Sequence, residues 1–163
     1  MKDNNPLFDS RRVSLALDFN LDARHHIKEA IQAMQRISVS GVQEKFPAVV
    51  DHGKIRLAGV GERSTHILKP APWDATLLER NQLPVNEYLT MQIASQVYGI
   101  PVAAHGLCTT PNRHKVYITR RFDIGTDGVK YPMEDMATLI GKSEASGRTT
   151  FFLNAPAVMK TKK

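Results

Sequence analysis

Short β-rich segments separated by tight-turn residues constrain the fold of this chain most strongly. Four of them follow one another between residues 37 and 70, as ISVSG, KFPAVVD, KIRLAG and THILKP. Their residues are mainly β-branched and apolar, and glycine, proline and the His52–Gly53 pair separate them. Segments of this length with such short connections are typical of neighbouring antiparallel strands. This part of the chain therefore predicts an antiparallel sheet.

Helical periodicity occurs on both sides of this run. The segment DARHHIKEAIQAMQ, from Asp22 to Gln35, places its apolar residues at helical spacing. The segment PVNEYLTMQIASQVY, from Pro84 to Tyr98, begins at a proline and ends before Gly99, which predicts a second, longer helix. Its apolar stripe recurs every four positions at Leu89, Ile93 and Val97, with Tyr88 and Met91 on neighbouring faces.

The C-terminal half continues with VAAHGLCTT and KVYITRRFD, which predict two further strands. PMEDMATLIG, starting at Pro132, predicts a short helix. The predicted order of elements indicates an α+β fold in which a twisted antiparallel sheet packs on one main helix.

Composition and charge narrow the function classes. The 163 residues include one cysteine, Cys108, so no internal disulfide can form, and we expect a cytoplasmic protein with this thiol buried. We see neither a signal peptide nor a membrane span. The net charge of +6 is scattered in pairs, which favours a solvated basic surface over direct DNA binding. The six histidines lack metal-ligand spacing, so we predict no metal site.

The stretch RISVSGVQEKF, from Arg36 to Phe46, has a composition suited to phosphate binding. A glycine turn between strands lets backbone N–H groups approach a phosphate, and Lys45 follows where its ammonium can meet the same charge. An ordinary hairpin is the alternative.

Lys69 ends the apolar strand HILK, and a lysine inside a buried run is costly unless it is paired. Glu87, early in the long helix, is a candidate partner, since protein kinases use a strand lysine and a helix glutamate to hold nucleotide phosphates. The alternative is a lysine that extends to solvent.

Five segments taken together resemble the HipA-type serine/threonine kinase toxins, and their layout is closest to compact HipT-like toxins. The segments are ISVSGVQEKF, THILKP, NEYLTMQIASQVYGIPV, ITRRFD and EDM. The resemblance implies a kinase-like small lobe over residues 22–136, preceded by an extended segment over 1–21. It ends near Met136. The tail, 137–163, does not look like family sequence, which suggests a truncation or frameshift and an absent C-terminal large lobe.

The resemblance also implies site residues. It assigns ATP binding to the loop, the strand lysine, its helix partner and the adenine hinge, and autophosphorylation to Ser38 and Ser40. The implied nucleotide-binding residues are Ser40, Gly41, Val42, Gln43, Glu44, Lys45, Lys69, Glu87, Arg120, Arg121 and Phe122.

The implied activity is transfer of the ATP γ-phosphate to a protein serine, in the family on aminoacyl-tRNA synthetases, within a toxin–antitoxin system. The implied partners are HipB-like DNA-binding antitoxins and a HipS-like companion. We expect the Mg²⁺ ligands and catalytic carboxylates in the missing lobe, so this chain alone would be an incomplete kinase with no catalytic residues of its own. A non-catalytic module that binds an antitoxin or a kinase is the alternative.

Overall fold

The computed structural model describes residues 7–8, 13–21, 43–73, 77–125 and 129–132. Four predictions lie wholly or mostly outside the described residues. They are the helix over 22–35, the strand ISVSG, the short helix after Pro132 and the atypical tail over 137–163.

In the described residues of the first of two compact units, Met1–Arg121, there are five strands and one main helix. The strands are β1 Phe46–Asp51, β2 Lys54–Leu57, β3 His66–Lys69, β4 His105–Thr109 and β5 Lys115–Arg120. They form one sheet in the order β2-β1-β3-β5-β4, and every neighbouring pair is antiparallel. The main helix, α1, spans Leu83–Gln96 after a short 3-10 turn. The predicted α+β arrangement of antiparallel sheet and single main helix is confirmed.

The β1–β2 connection shows how local sequence sets the register. Asp51 pairs with Lys54, which leaves only His52 and Gly53 as the loop. Both loop residues have positive φ, 47° and 76°, the combination that a two-residue hairpin with the right-handed strand twist requires. The glycine accepts this conformation without steric cost.

Strand alternation separates the two faces of the sheet. Phe46 pairs with Leu68, Leu68 with Ile118, and Ile118 with Gly106, so these four residues form one row across the sheet. Their side chains face a hydrophobic core, where Phe46, Leu68 and Ile118 are fully buried. The buried core cluster comprises Leu7, Leu17, Leu21, Phe46, Ala48, Ile55, Leu68, Cys108, Val116 and Ile118.

The N-terminal segment contributes to this core. The Leu17 N–H donates to the Thr109 carbonyl at 2.8 Å and the Thr109 N–H to the Leu15 carbonyl at 2.9 Å, so the segment pairs with the β4 edge. Leu7 packs over Gly106, where an added Cβ would lie 2.9 Å from the leucine Cδ2. The sequence predicts an extended segment here, but its leucines lack a regular period and their burial was not predicted.

Helix α1 lies over β4 and β5 on the opposite face of the sheet. Its stripe of Leu89, Ile93 and Val97 is 50%, 50% and 69% exposed, so the sheet leaves at least half of each side chain uncovered. Glu87, Tyr88 and Gln92 contact residues of the strands. The part of the chain that the structure describes contains no helix long and apolar enough to cross a membrane.

The second compact unit, Phe122–Lys163, has a small ordered turn in its described residues. Ile124 bridges to Lys130, the Gly125 N–H donates to the Val129 carbonyl at 2.8 Å, and the Tyr131 N–H donates to the Asp123 carbonyl at 2.7 Å.

Candidate anion-binding site

A second row of side chains crosses the sheet on the face covered by α1. Lys69 pairs with Tyr117, and Tyr117 pairs with Leu107. Lys45 immediately precedes Phe46, which pairs with Leu68, so continuing the β1–β3 register places Lys45 opposite Lys69. Residues opposite one another in a sheet project to the same face. The fold thus aligns Lys45, Lys69 and Tyr117 next to the helix.

The predicted contact between Lys69 and Glu87 is present. Lys69 Nζ donates to Glu87 Oε1 at 2.5 Å, and the two side chains are only 14% and 19% exposed. A pair this sheltered is screened weakly by water, so its charges act strongly on their neighbours. The pair links β3 to the first turns of α1.

Lys45 adds a second positive charge to this cluster. Its side chain is half-buried, and burial lowers its pKa from the usual value, as does the positive charge of Lys69, while the carboxylate of Glu87 raises it. The side chains of Lys45, Lys69 and Glu87 together carry two ammonium groups and one carboxylate, which gives a net charge of +1. Like charges directly opposite one another destabilise a sheet, so this arrangement suits a site that receives an anion.

We expect Lys45→Met to stabilise the fold slightly. Because the folded pKa of Lys45 lies below its ordinary value of 10.5, the unfolded chain binds this proton more tightly. Lys45 therefore destabilises the fold at neutral pH, and the penalty disappears as pH rises through 10.5. After allowance for solvent screening, we expect a small rise in thermal midpoint at pH 7.

Thermal unfolding followed by circular dichroism at pH 7 and pH 10.5 tests this expectation. Lys115→Met, an exposed lysine on β5, is the matched control. The difference between the Lys45 variant and wild type should shrink at the higher pH. A Lys45 variant less stable than the control at pH 7 would contradict the interpretation.

The residues just before β1 are fixed to the loop that follows β3. Gln43 Nε2 donates to the Pro70 carbonyl at 2.7 Å, and the Trp73 N–H donates to Glu44 Oε2 at 3.2 Å. The Trp73 ring packs on Phe46 with centroids 6.0 Å apart. The side chains of Gln43 and Glu44, which the resemblance assigns to the nucleotide, thus hold the loop in place. Ser38, Ser40, Gly41 and Val42 lie outside the described residues.

Backbone hydrogen bonds already engage part of the predicted adenine hinge. The Arg120 N–H donates to the Ala104 carbonyl at 2.8 Å and the Arg121 N–H to the Thr65 carbonyl at 2.9 Å. Neither N–H is therefore directed at a base in this structure. Phe122, the third hinge residue, belongs to the second compact unit and is 55% exposed.

Sequence reasoning missed two aromatic residues of the site, Tyr117 and His105. The ring of Tyr117 lies under Lys69, with Nζ 5.4 Å from the ring centroid. His105 stacks on Tyr117 at 5.9 Å and meets the edge of Tyr88 at 5.7 Å. The strand register would identify Tyr117, but that register depends on loop lengths that the sequence pattern does not fix.

Cys108 is fully buried, as predicted, and burial raises the pKa of its thiol to about 12. The thiolate needed for nucleophilic chemistry is therefore scarce at neutral pH. In the described ranges, no group of three or more histidine, cysteine, aspartate or glutamate side chains could hold a metal ion.

Comparison with known proteins identifies the family. The model of the HipA-like C-terminal domain family matches residues 37–160, most of the chain. The chain therefore belongs to the HipA-like C-terminal domain family, and the resemblance to HipA-type proteins is confirmed. The matched range continues past Met136 into the segment predicted to be atypical. None of the curated proteins compared with the chain matches it.

One similar solved structure is HipA of Shewanella oneidensis MR-1, in a toxin–antitoxin complex of HipA, HipB and operator DNA. The two chains are 29% identical, with a TM-score of 0.40. The match covers 61% of this chain and 22% of that HipA chain. The matched part of this chain thus spans about a fifth of the length of that HipA protein.

Proposed function

We propose that the chain is the nucleotide-binding small lobe of a HipA-type serine/threonine kinase. The observation that carries this proposal is the alignment of Lys45 and Lys69 beside one sheltered glutamate, Glu87. In this arrangement Glu87 fixes the Lys69 ammonium, and the second ammonium leaves the cluster positively charged. The α- and β-phosphates of ATP carry the charge that such a cluster attracts.

Different residues of the chain would bind different parts of the nucleotide. The loop ending at Lys45 would contact the phosphates, and Lys69 would approach the α/β-phosphates. The segment from Arg120 to Phe122 would face the adenine. Two of its N–H groups are engaged in backbone hydrogen bonds, so we do not assign them to base recognition. Phosphorylation of Ser38 or Ser40 would add a charge of about −2 and oppose ATP.

Phosphoryl transfer to a protein serine would require a second lobe. Mg²⁺ neutralises the charge that develops on the transferred phosphoryl group, and a catalytic carboxylate orients the hydroxyl. We propose that the small lobe binds Mg·ATP, whereas the groups that transfer the phosphate would belong to the second lobe. An aminoacyl-tRNA synthetase is the proposed substrate class for the assembled kinase.

We also propose HipB-like antitoxins as partners, with a HipS-like companion as a further one. The membership of the chain in the HipA-like C-terminal domain family supports this proposal. We propose that the antitoxin, and not this chain, supplies the DNA contact, because the basic residues here form scattered pairs.

A non-catalytic interaction module is the second candidate function. The exposed apolar stripe of α1, at Leu89, Ile93 and Val97, favours it, because contiguous exposed apolar surface marks association sites. Such a module would keep its partner when Lys69 is replaced, whereas nucleotide binding would be strongly weakened.

Calorimetric titration of the full chain with Mg·ATP tests the first candidate. We expect saturable binding of ATP and ADP and weaker binding of adenosine, because the phosphates supply the attraction to the lysines. Binding should weaken as salt rises. Equal affinity for ATP and adenosine, or no heat from a chain shown to be folded by circular dichroism, would overturn the proposal.

A further inference from the structure

Tyr117 lies in the same row of side chains as Lys45 and Lys69, and it is only 2% exposed. It is the cross-strand partner of Lys69, and the Lys69 ammonium lies above its ring at 5.4 Å from the centroid. The face of an aromatic ring carries negative electrostatic potential and attracts a cation within about 6 Å. The ring therefore contacts the lysine from the side of the sheet, while Glu87 contacts it from the helix.

Two further rings fix the orientation of Tyr117. His105 of β4 stacks on it with an interplanar angle of 29°, and Tyr88 of α1 meets His105 edge-on. His105 is itself held, because its Nδ1 lies 2.9 Å from the Ala103 carbonyl and its Nε2 lies 3.3 Å from Gln92 Nε2. The Tyr117 ring is thus fixed by contacts from both the sheet and the helix.

The ring differs from Glu87 in what it does to the charge of Lys69. Burial and the nearby Glu87 carboxylate raise the pKa of the Tyr117 phenol, so it stays protonated and neutral. A neutral ring orients the ammonium without neutralising it. The ring thus leaves the positive charge of Lys69 unchanged.

We propose that Tyr117 is a positioning residue of the nucleotide site, whose ring face holds the Lys69 ammonium at the phosphate-binding position. His105 supports it by fixing the plane of the ring. The consequence for ATP depends on the proposed function, whereas the placement of Lys69 by the ring can be measured without any nucleotide.

The first test is the chemical shift of the Lys69 ε-methylene protons in the free chain, assigned by NMR. Protons above a ring face are shifted upfield, and nuclear Overhauser contacts should join them to the Tyr117 ring. Tyr117→Phe keeps the ring and should keep the shift, while Tyr117→Leu should remove it. An unshifted Lys69 methylene in the wild-type chain overturns the inference without any variant.

The second test is Mg·ATP affinity of the same variants by calorimetry. Loss of a sheltered cation–π contact should raise the Kd about fivefold in Tyr117→Leu, while Tyr117→Phe should stay within about twofold of wild type. Adenosine affinity should not change, because the ring acts through the phosphate lysine. Equal weakening by the phenylalanine variant would overturn the inference, since the hydroxyl and not the ring face would then be responsible.

Val116→Ala is the matched control, because Val116 is buried on the same strand but faces the other side of the sheet. It should lower stability without moving the Lys69 shift. If wild type binds no ATP but the Lys69 shift follows the ring as expected, the proposed function fails and the positioning role stands. If ATP binds but Tyr117→Leu changes neither the shift nor the affinity, the positioning role fails alone.

Discussion

Replacing Lys69 with methionine is expected to weaken Mg·ATP binding strongly relative to the wild-type chain. Charge-assisted hydrogen bonds contribute about 1.5–3 kcal/mol each, so the loss of one ammonium–phosphate contact corresponds to roughly a ten- to hundredfold rise in Kd. Methionine fills a similar volume without charge. Calorimetric titration of both chains under identical salt conditions measures the change.

The same substitution should also lower stability, because it leaves Glu87 sheltered without its ammonium partner. Breaking a buried ion pair on one side costs about 3–5 kcal/mol, and the residual exposure of 14% and 19% reduces this to roughly 2–3 kcal/mol. The double variant Lys69→Met/Glu87→Gln removes the unpaired charge, so it should recover most of the stability.

That double variant separates binding from folding. It should still bind Mg·ATP weakly although its urea unfolding midpoint approaches that of wild type. ATP affinity that returns together with stability would show that Lys69 acts only through the fold, and the nucleotide assignment would be wrong.

Phe46→Ala is expected to have the largest effect on stability. Phe46 is fully buried, lies in the central core row and packs on Trp73. Truncating a buried phenylalanine costs about 3–5 kcal/mol through lost burial and the cavity left behind. This is a large part of the total stability of a domain, which is about 5–15 kcal/mol. Urea unfolding followed by tryptophan fluorescence measures the loss, since Trp73 is the only tryptophan.

Two controls define the origin of this loss. Phe46→Leu retains most of the buried volume and should cost less than about 1.5 kcal/mol. Val60→Ala, at a position 61% exposed, should stay within about 0.5 kcal/mol of wild type. A loss below 1 kcal/mol for Phe46→Ala would contradict the placement of this ring in the core.

The strands were predictable because their signals are local. Alternating β-branched residues and turn residues such as His52–Gly53 act within a few positions, and the strands predicted in the described part of the chain all form. The contact between Lys69 and Glu87 was also predicted, but from the resemblance to kinases. A separation of 18 residues carries no geometric information by itself.

Three features depend on long-range packing, which the spacing of residue types along the sequence does not reveal. The i, i+4 pattern at Leu89, Ile93 and Val97 identifies an apolar stripe, but not whether the sheet covers it. The opposition of Lys45 and Lys69 follows from the register of β1 with β3. The burial of the N-terminal leucines depends on backbone pairing with β4 across more than 90 residues, as in the bond between Leu17 and Thr109.

Side chains of β1, β3 and β5 alternate between the two faces of the sheet, and this has a consequence for how the sequence of this protein can diverge. Lys45, Lys69 and Tyr117 are each next in sequence to a core residue, Phe46, Leu68 or Ile118, yet point to the opposite side of the sheet. Substitutions in the two rows have few shared contacts, so their effects on stability should be nearly additive. Substitutions on one side can therefore change its surface chemistry without repacking the hydrophobic core on the other.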